Sequence, residues 1–196
     1  MKVPVEPGWA MVTVVFVDIR GFTTFADRST AREAVAYLNE FFGLVVPILT
    51  EHGGHANKLL GDGLLGVFGA PERLPDHADR ALEAASHMIG AVEGRFGERC
   101  RIGIGVNSGL VLAGTLGGGE LVEFGDPVNV AARVQDATRE LGEALLLTEA
   151  IRCLLEDSST QLEARGALTL RGKREPIPVY APVTDDLRNV SRTPVT

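Results

Sequence analysis

The chain has 196 residues, of which 45% are hydrophobic and 23% are charged. This length and composition are typical of one globular domain with a substantial core. The net charge of −7 argues weakly against a nucleic-acid-binding protein, because such proteins usually present a basic face. Cys100 and Cys153 form no CxxC motif and are expected to be reduced thiols.

No uninterrupted apolar run reaches the roughly 18–20 residues that a membrane-spanning helix needs. The first residues, Met1 to Gly8, contain prolines and charges but lack the apolar region of a signal peptide. We therefore expect a cytoplasmic protein. Flanking regulatory domains or a membrane segment on a longer natural chain would not be visible in this sequence.

The chain opens with a predicted buried strand followed by a long helix. Val12–Val17 is an apolar, β-branched run, and Asp18 stands at its C-terminal end. A loop containing Gly21 comes next. Thr30 and Glu33 have the spacing of a capping box, which predicts a helix from there to about residue 52.

The following segment completes a recognisable order of elements. Strands are predicted at about 55–60 and 64–68, joined by the tight turn Gly61-Asp62-Gly63. Pro75-Asp76 opens a second helix, and two further strands, 101–106 and 110–115, are divided by a turn at Asn107-Ser108-Gly109. The order β-α-β-β-α-β predicts an α+β fold of the ferredoxin-like type, an antiparallel sheet with helices on one face.

The second half predicts additional C-terminal strands and helices. A loop at Gly117–Gly119 and a short strand to Phe124 lead into a third helix, with Asp126 as its N-cap, that ends near Leu141. Strands at 145–148, 162–170 and 177–180 and a short helix at 149–155 follow. We divide the chain into a lead-in at 1–9, one domain at 10–183 and a flexible tail at 184–196.

Two aspartates are predicted to meet at one edge of the sheet. In this topology the first strand lies between the third and the last, antiparallel to the third, so Asp18 lies beside Asp62. Two close carboxylates repel each other unless a cation lies between them. Mg²⁺ and Mn²⁺ prefer such oxygen ligands, and two ions can activate a hydroxyl and stabilise a leaving phosphate. Taken singly, each residue fits a turn or a strand end equally well.

Five segments together resemble the class III adenylate and guanylate cyclases. The motifs are Phe16-Val-Asp-Ile-Arg-Gly-Phe-Thr23, Asn57-Lys-Leu-Leu-Gly-Asp-Gly63, Ile104-Gly-Val-Asn-Ser-Gly109 with Val111-Leu-Ala-Gly114, Phe124-Gly-Asp-Pro-Val-Asn-Val-Ala-Ala-Arg133 and Leu170-Arg-Gly-Lys173. They occur in the order and spacing of the family over about residues 10–182. The resemblance implies a ferredoxin-like catalytic domain, of the adenylate cyclase type, that works as a head-to-tail homodimer.

The resemblance also implies roles for individual residues. Asp18, Asp62 and the carbonyl group of Ile19 would hold two divalent cations, Mg²⁺ or Mn²⁺, while Phe22 would border the substrate. A second copy would supply the substrate-binding residues Lys58, Val122 and Lys173 and the catalytic residues Asn129 and Arg133. The implied reaction converts ATP to 3′,5′-cyclic AMP and pyrophosphate by in-line attack of the ribose 3′-hydroxyl on the α-phosphate.

The chemistry of these side chains agrees with such roles. Asn129 and Arg133 are four residues apart on a helix and so share one face, where Arg133 can meet charge developing on the α-phosphate. Lys173 lies in a small basic cluster suited to the β- and γ-phosphates. The Lys58 ammonium group only donates hydrogen bonds, so it suits the N1 acceptor of adenine and opposes the N1–H of guanine.

One position departs from the family pattern. Adenylate cyclases of this class usually place Asp or Thr where this chain has Val122, and valine cannot accept a hydrogen bond from the adenine amino group. We therefore expect weaker discrimination between ATP and GTP. The alternatives are a catalytically weak or inactive nucleotide-binding regulatory domain, half of a heterodimer, or a diguanylate-cyclase-like enzyme, whose Gly-Gly-Asp/Glu-Glu-Phe hairpin is absent here.

Overall fold

The computed structural model describes residues 8–116, 120–156, 160–170 and 172–183. Its strands are β1 (Gly8–Ile19), β2 (His55–Leu60), β3 (Gly63–Phe68), β4 (Ile102–Leu116), β5 (Glu120–Phe124), β6 (Leu145–Thr148), β7 (Leu162–Leu168) and β8 (Ile177–Pro182). Its α-helices are α1 (Phe22–Asp27), α2 (Ala31–Glu51), α3 (His77–Phe96), α4 (Asp126–Leu141) and α5 (Glu149–Arg152). The Gly117–Gly119 loop and the tail at 184–196 lie outside the described residues.

The strands form one mixed, mostly antiparallel sheet, which confirms the predicted fold class. Their order is β2-β3-β1-β4-β6-β8-β7, with β5 paired to β4. β1 lies between β3 and β4 and is antiparallel to both, whereas β4 and β6 are parallel. Asp18 pairs with Gly63, the residue after Asp62, so the end of β1 adjoins the turn between β2 and β3.

Helices cover both faces of the sheet, so the prediction of helices on one face holds only for α2 and α3. Those two helices bury an apolar layer against Val15 and Val17 of β1 and Ile104 of β4. On the opposite face, Ala131 of α4 packs in a second cluster with Val14 of β1. The strands therefore bury side chains on both faces, which explains the nearly continuous apolar sequence of β1.

Glycines on β4 allow the close approach of α4. A Cβ atom added at Gly105 would lie 2.2 Å from the backbone nitrogen of Gln135 and 2.5 Å from the carbonyl oxygen of Ala131. Gly103 and Gly109 face α4 in the same way, since an added Cβ would lie 2.3 Å from the Thr138 hydroxyl oxygen and 2.5 Å from the Pro127 ring, respectively. The helix backbone therefore occupies the space where side chains of β4 would otherwise project.

The predicted turn at Asn107-Ser108-Gly109 is wrong, because β4 runs through these residues without interruption. The polar side chains there are buried and hydrogen-bonded to distant parts of the chain. The Asn107 amide donates to the carbonyl of Pro127 at 3.0 Å and accepts from the Thr148 hydroxyl at 2.8 Å. Ser108 shares a 2.6 Å hydrogen bond with Thr13. Internal partners thus replace the solvent that a turn would require.

Other boundaries also differ from the predictions. β1 begins at Gly8, inside the expected lead-in, and α1 occupies part of the expected loop after Gly21. α4 has Gly125 as its N-cap, and Asp126 is the first helical residue and forms an ion pair with Lys173. The capping box of Thr30 and Glu33 at the start of α2 is present as predicted.

Among the described residues, α2 is long and apolar enough, by length and composition, to cross a membrane. In this structure one side of the helix is in the core, where Phe41, Val45, Ile48 and Leu49 are buried. The helix also packs against α3.

We predict that Gly105→Ala lowers the free energy of unfolding by about 1–3 kcal/mol, because the new methyl group has no room beside α4. The matched control is Gly94→Ala in α3, where an added Cβ has no atom within 4 Å. The control should raise stability by about 0.5–1 kcal/mol, since alanine favours a helix. Urea unfolding measures both, and equal effects of the two substitutions would contradict close packing of α4 on β4.

Candidate active site

Asp18 and Asp62 line the same cavity at the end of β1. The cavity has a volume of about 390 Å³ and is bordered by the loop after β1, the turn between β2 and β3, and the second half of α4. Its lining residues are Asp18, Ile19, Arg20, Gly21, Phe22, Thr23, Thr24, Asp62, Gln135, Asp136, Thr138 and Arg139. The predicted meeting of the two carboxylates at one sheet edge is therefore present in the structure.

The electrostatics of this cavity disfavour a charged Asp18. Burial, the Asp62 carboxylate and the Asp136 carboxylate raise the pKa of Asp18 from 3.8 to about 6, and Arg139 opposes this rise. Burial is the largest cause, and the negative charge of Asp62 is the next. A cation between the two carboxylates would relieve both effects, because it would replace lost hydration and neutralise the repulsion.

The donor atoms fit a hard divalent cation that the substrate helps to bind. Two carboxylates and a backbone carbonyl supply oxygen ligands, which suit Mg²⁺ or Mn²⁺ when phosphate oxygens complete the shell. Within the described ranges, no group of three or more His, Cys, Asp or Glu side chains has the arrangement of a metal site.

Ile19 and Phe22 border the cavity in different ways. The Ile19 side chain is 3% exposed and belongs to the core beneath α2 and α3, so only its backbone is available to a ligand. The Phe22 ring stacks on Tyr37 with centroids 6.2 Å apart and also contacts Phe25. Phe22 thus packs α1, which borders the cavity, against α2. It lies beside the predicted substrate site.

The residues expected to contact the ribose and the phosphates lie on α4 or beside its N-terminal end. Asn129 and Arg133 are both exposed. The Arg133 guanidinium group is 3.5 Å from the Asp136 carboxylate, and the two side chains are 69% and 66% exposed. The Lys173 ammonium group forms an ion pair with Asp126 at the N-terminal end of the helix. The fold therefore brings Lys173 to the helix that carries Asn129 and Arg133.

The remaining two predicted residues lie on strands. Lys58 is exposed on β2, at the edge of the sheet, where it pairs with Leu65 after an irregularity in the strand register. Val122 pairs with Gly114 in the ladder between β4 and β5. The side chain of Val122 lies outside the described part of the structure, so its contribution to a base pocket stays a prediction.

Among the described residues, the predicted metal ligands line this cavity and the predicted phosphate-binding side chains do not, although Arg133 pairs with Asp136, which does. Asp18 and Asp62 line the cavity described above, whereas Lys58, Asn129, Arg133 and Lys173 are not among its lining residues. A nucleotide that contacts both sets of residues would therefore have to extend beyond the cavity that Asp18 and Asp62 line.

The cavity also contains residues that the sequence analysis did not select. Asp136 and Arg139 project from the second half of α4 and both affect the Asp18 carboxylate. Asp136 lies three residues after Arg133 and three residues before Arg139, so it neighbours each of them on the helix surface. That spacing was visible in the sequence, but it does not reveal that the helix ends beside β1.

The Asp18 pKa predicts a pH dependence of stability in metal-free protein. Folded chains hold a proton on Asp18 up to a pH of about 6, whereas the ordinary pKa is 3.8. The folded state therefore binds more protons in this window, and its stability should fall as the pH rises through it. Asp18→Asn should remove that fall, as measured by urea unfolding at a series of pH values. Identical pH profiles for the wild type and the variant would contradict the shift.

Comparison with known proteins identifies the family. The family described as the adenylate and guanylate cyclase catalytic domain matches residues 6–181. Two uncharacterized proteins of Mycobacterium tuberculosis are 38% and 36% identical to this chain over 176 residues, which is 88% of the chain. The chain spans about a third of the length of these relatives, 31% and 32% respectively.

Solved structures agree with the sequence match. The adenylyl cyclase CyaB from P. aeruginosa is 25% identical with a TM-score of 0.83, over 91% of this chain and 96% of that chain. The catalytic core of a rhodopsin-guanylyl cyclase with converted specificity, in complex with ATPαS, is 29% identical with a TM-score of 0.80, over 91% and 98%. Sequence, fold and the paired carboxylates agree, and the chain belongs to the adenylate and guanylate cyclase catalytic domain family.

Proposed function

We propose that this domain is an adenylate cyclase that converts ATP to 3′,5′-cyclic AMP and pyrophosphate. The observation that carries the proposal is the shared cavity of Asp18 and Asp62, in which burial and the neighbouring Asp62 carboxylate raise the pKa of Asp18. Such a pair is suited to divalent cations, which supply activation of the ribose 3′-hydroxyl and stabilisation of the departing pyrophosphate when bound. We expect the domain to act in the cytoplasm.

The active site is proposed to form between two copies arranged head to tail. One copy contributes Asp18, Asp62 and the Ile19 carbonyl, and the other contributes the outer side of α4. The arrangement is supported by the position of Asn129 and Arg133 on the exposed side of α4, where neither residue lines the cavity of Asp18 and Asp62. A symmetric dimer then holds two such sites. The chain contains both the predicted metal ligands and the predicted substrate-binding residues, which favours a homodimer over a heterodimer.

The chain's own residues then orient the nucleotide for in-line displacement. Asn129 holds the ribose, and Arg133 donates hydrogen bonds to the α-phosphate as negative charge grows there. Lys173 binds the β- and γ-phosphates, which requires it to exchange Asp126 for the nucleotide. Arg133 likewise exchanges Asp136 for phosphate. Both pairs are exposed, and exposed ion pairs cost little to break.

The choice of ATP rests on Lys58, because the family includes enzymes of both base specificities. Its ammonium group can donate to adenine N1 but is opposed by the N1–H of guanine. Val122 provides no acceptor for the adenine amino group. The loss of one hydrogen bond, worth about 1 kcal/mol, reduces discrimination without abolishing it. We therefore propose ATP as the main substrate with some use of GTP.

Product analysis tests the reaction. The purified protein with Mn²⁺ should convert ATP to 3′,5′-cyclic AMP, and GTP more slowly to the corresponding cyclic product, as identified by mass spectrometry. Asp18→Asn, which keeps the shape of the side chain but weakens metal binding, should lower turnover at least about 100-fold. Nucleotide binding without any cyclic product would favour the alternative of a regulatory domain.

Complementation tests the shared site. Asp18→Ala and Arg133→Ala should each be inactive alone, because every site in either homodimer lacks one essential group. Mixing them should restore up to about a quarter of wild-type turnover, because half of the dimers are then mixed and each has one complete site. Subunit exchange is verified by native mass spectrometry. No recovery in mixtures that contain heterodimers would rule out sites shared between copies.

A further inference from the structure

Arg20 connects the end of β1 to the end of α4. It follows Asp18 and Ile19 directly, and its backbone nitrogen donates to the carbonyl of Arg101 at 2.8 Å. Its guanidinium Nη2 donates to the carbonyl of Thr138 at 3.1 Å and also to the carbonyl of Glu143. One side chain therefore joins the segment that carries the metal-binding carboxylate to the helix that carries Asn129 and Arg133.

The carbonyl groups that Arg20 binds belong to a helix terminus. Thr138 lies in the last turn of α4, and Glu143 follows the left-handed C-cap residue Gly142. The Thr138 carbonyl already accepts hydrogen bonds from the backbone N–H groups of Gly142 and Glu143, so the guanidinium group is an additional donor there. Its positive charge suits this place because the C-terminus is the negative end of the helix dipole. The contact fixes where α4 ends relative to Asp18.

The surroundings of Arg20 are otherwise unfavourable to its charge. Burial and the neighbouring Arg101 and Arg139 cations lower the pKa of the Arg20 guanidinium group, and Glu143 opposes this only in part. Among the described side chains, the Nε atom of Arg20 is the buried polar atom without a hydrogen-bond partner. A half-buried charge of this kind adds little to stability but can fix one arrangement of the parts around it.

We propose that Arg20 is a positioning residue that holds the metal-binding end of β1 and the phosphate-binding helix α4 in one fixed relation. The inference rests on the proposed cyclase function. In the head-to-tail dimer these two parts of one chain serve different active sites. Arg20 therefore affects both sites at once, through the metal ligands of one and through the helix of the other.

Heterodimers with a single working site separate the two effects. The Arg133→Ala chain supplies Asp18 to the working site, and the Asp18→Ala chain supplies α4. Arg20→Gln is introduced into one chain or the other, and turnover is compared with that of the unmodified pair. We expect a loss of about 10-fold or more in each case, as is typical when a group that orients an active-site residue is removed.

The outcomes have distinct meanings. A loss in both heterodimers supports the connecting role. A loss only when Arg20→Gln is in the Asp18-supplying chain would mean that Arg20 serves the carboxylates alone, and a loss only in the other chain would mean a simple helix cap. Either result, or no loss at all, overturns the proposal. Absence of activity from the unmodified pair would instead count against the shared site itself.

Hydrogen exchange of the full-length, otherwise wild-type protein provides a readout independent of turnover. Arg20→Gln should speed amide exchange both in the loop at 18–22 and at the end of α4 at 138–143. Arg20→Lys keeps the positive charge on a shorter side chain, so its amide exchange should change less. This variant also keeps the test valid if Arg20→Gln fails to fold. Faster exchange in only one of the two segments, or in neither, would overturn the proposal.

The matched control is Arg95→Gln. Arg95 is an exposed α3 residue that pairs with Glu40 at 2.7 Å on the surface. Arg95→Gln removes an arginine side chain, as Arg20→Gln does, and with it an ion pair. Arg95 lies outside the Asp18 cavity. The substitution should leave exchange in both segments and turnover in the heterodimers unchanged. An equal effect of Arg95→Gln would show that the response is general and would also overturn the proposal.

Discussion

The structure of the candidate site depends on the antiparallel pairing of β1 with β3, which buries Asp18 in a cavity beside a second carboxylate. The register joins Asp18 to Gly63, so the chain cannot form its central sheet without bringing Asp18 close to Asp62. Both groups then line one cavity in which a proton is held on Asp18 to a pH of about 6. A cation bound between the two carboxylates would offset both the burial of Asp18 and the repulsion from Asp62, which is why we propose a metal site here.

The second feature that shapes the candidate site is the close contact between α4 and β4, the strand paired with β1. Glycines at 103, 105 and 109 leave room for the helix backbone, and Arg20 fixes the helix end. The helix thereby crosses the sheet face with Asn129 and Arg133 on its exposed side and with its second half beside Asp18. The geometry explains why one chain presents two separate sets of residues, and it underlies the proposal that two copies complete each other's sites.

Local signals in the sequence predicted most of the fold. The capping box at Thr30, the turn at Gly61–Gly63 and the strand at 145–148 were found because each depends on neighbours in the chain. Asn107 and Ser108 were assigned to a turn because their partners, Pro127, Thr148 and Thr13, are remote. The contact of Arg20 spans 118 residues, so no local pattern could reveal it. The carboxylate pair was predictable because topology alone brings it together.

Electron paramagnetic resonance of Mn²⁺ bound with a non-hydrolysable ATP analogue tests whether Asp18 and Asp62 bind metal together. We expect two coupled Mn²⁺ ions about 3.5–4 Å apart in each active site, with the coupling lost in Asp18→Asn and in Asp62→Asn. Isolated, uncoupled ions, or coupling that survives both substitutions, would contradict the claim that these carboxylates jointly bind the catalytic metals.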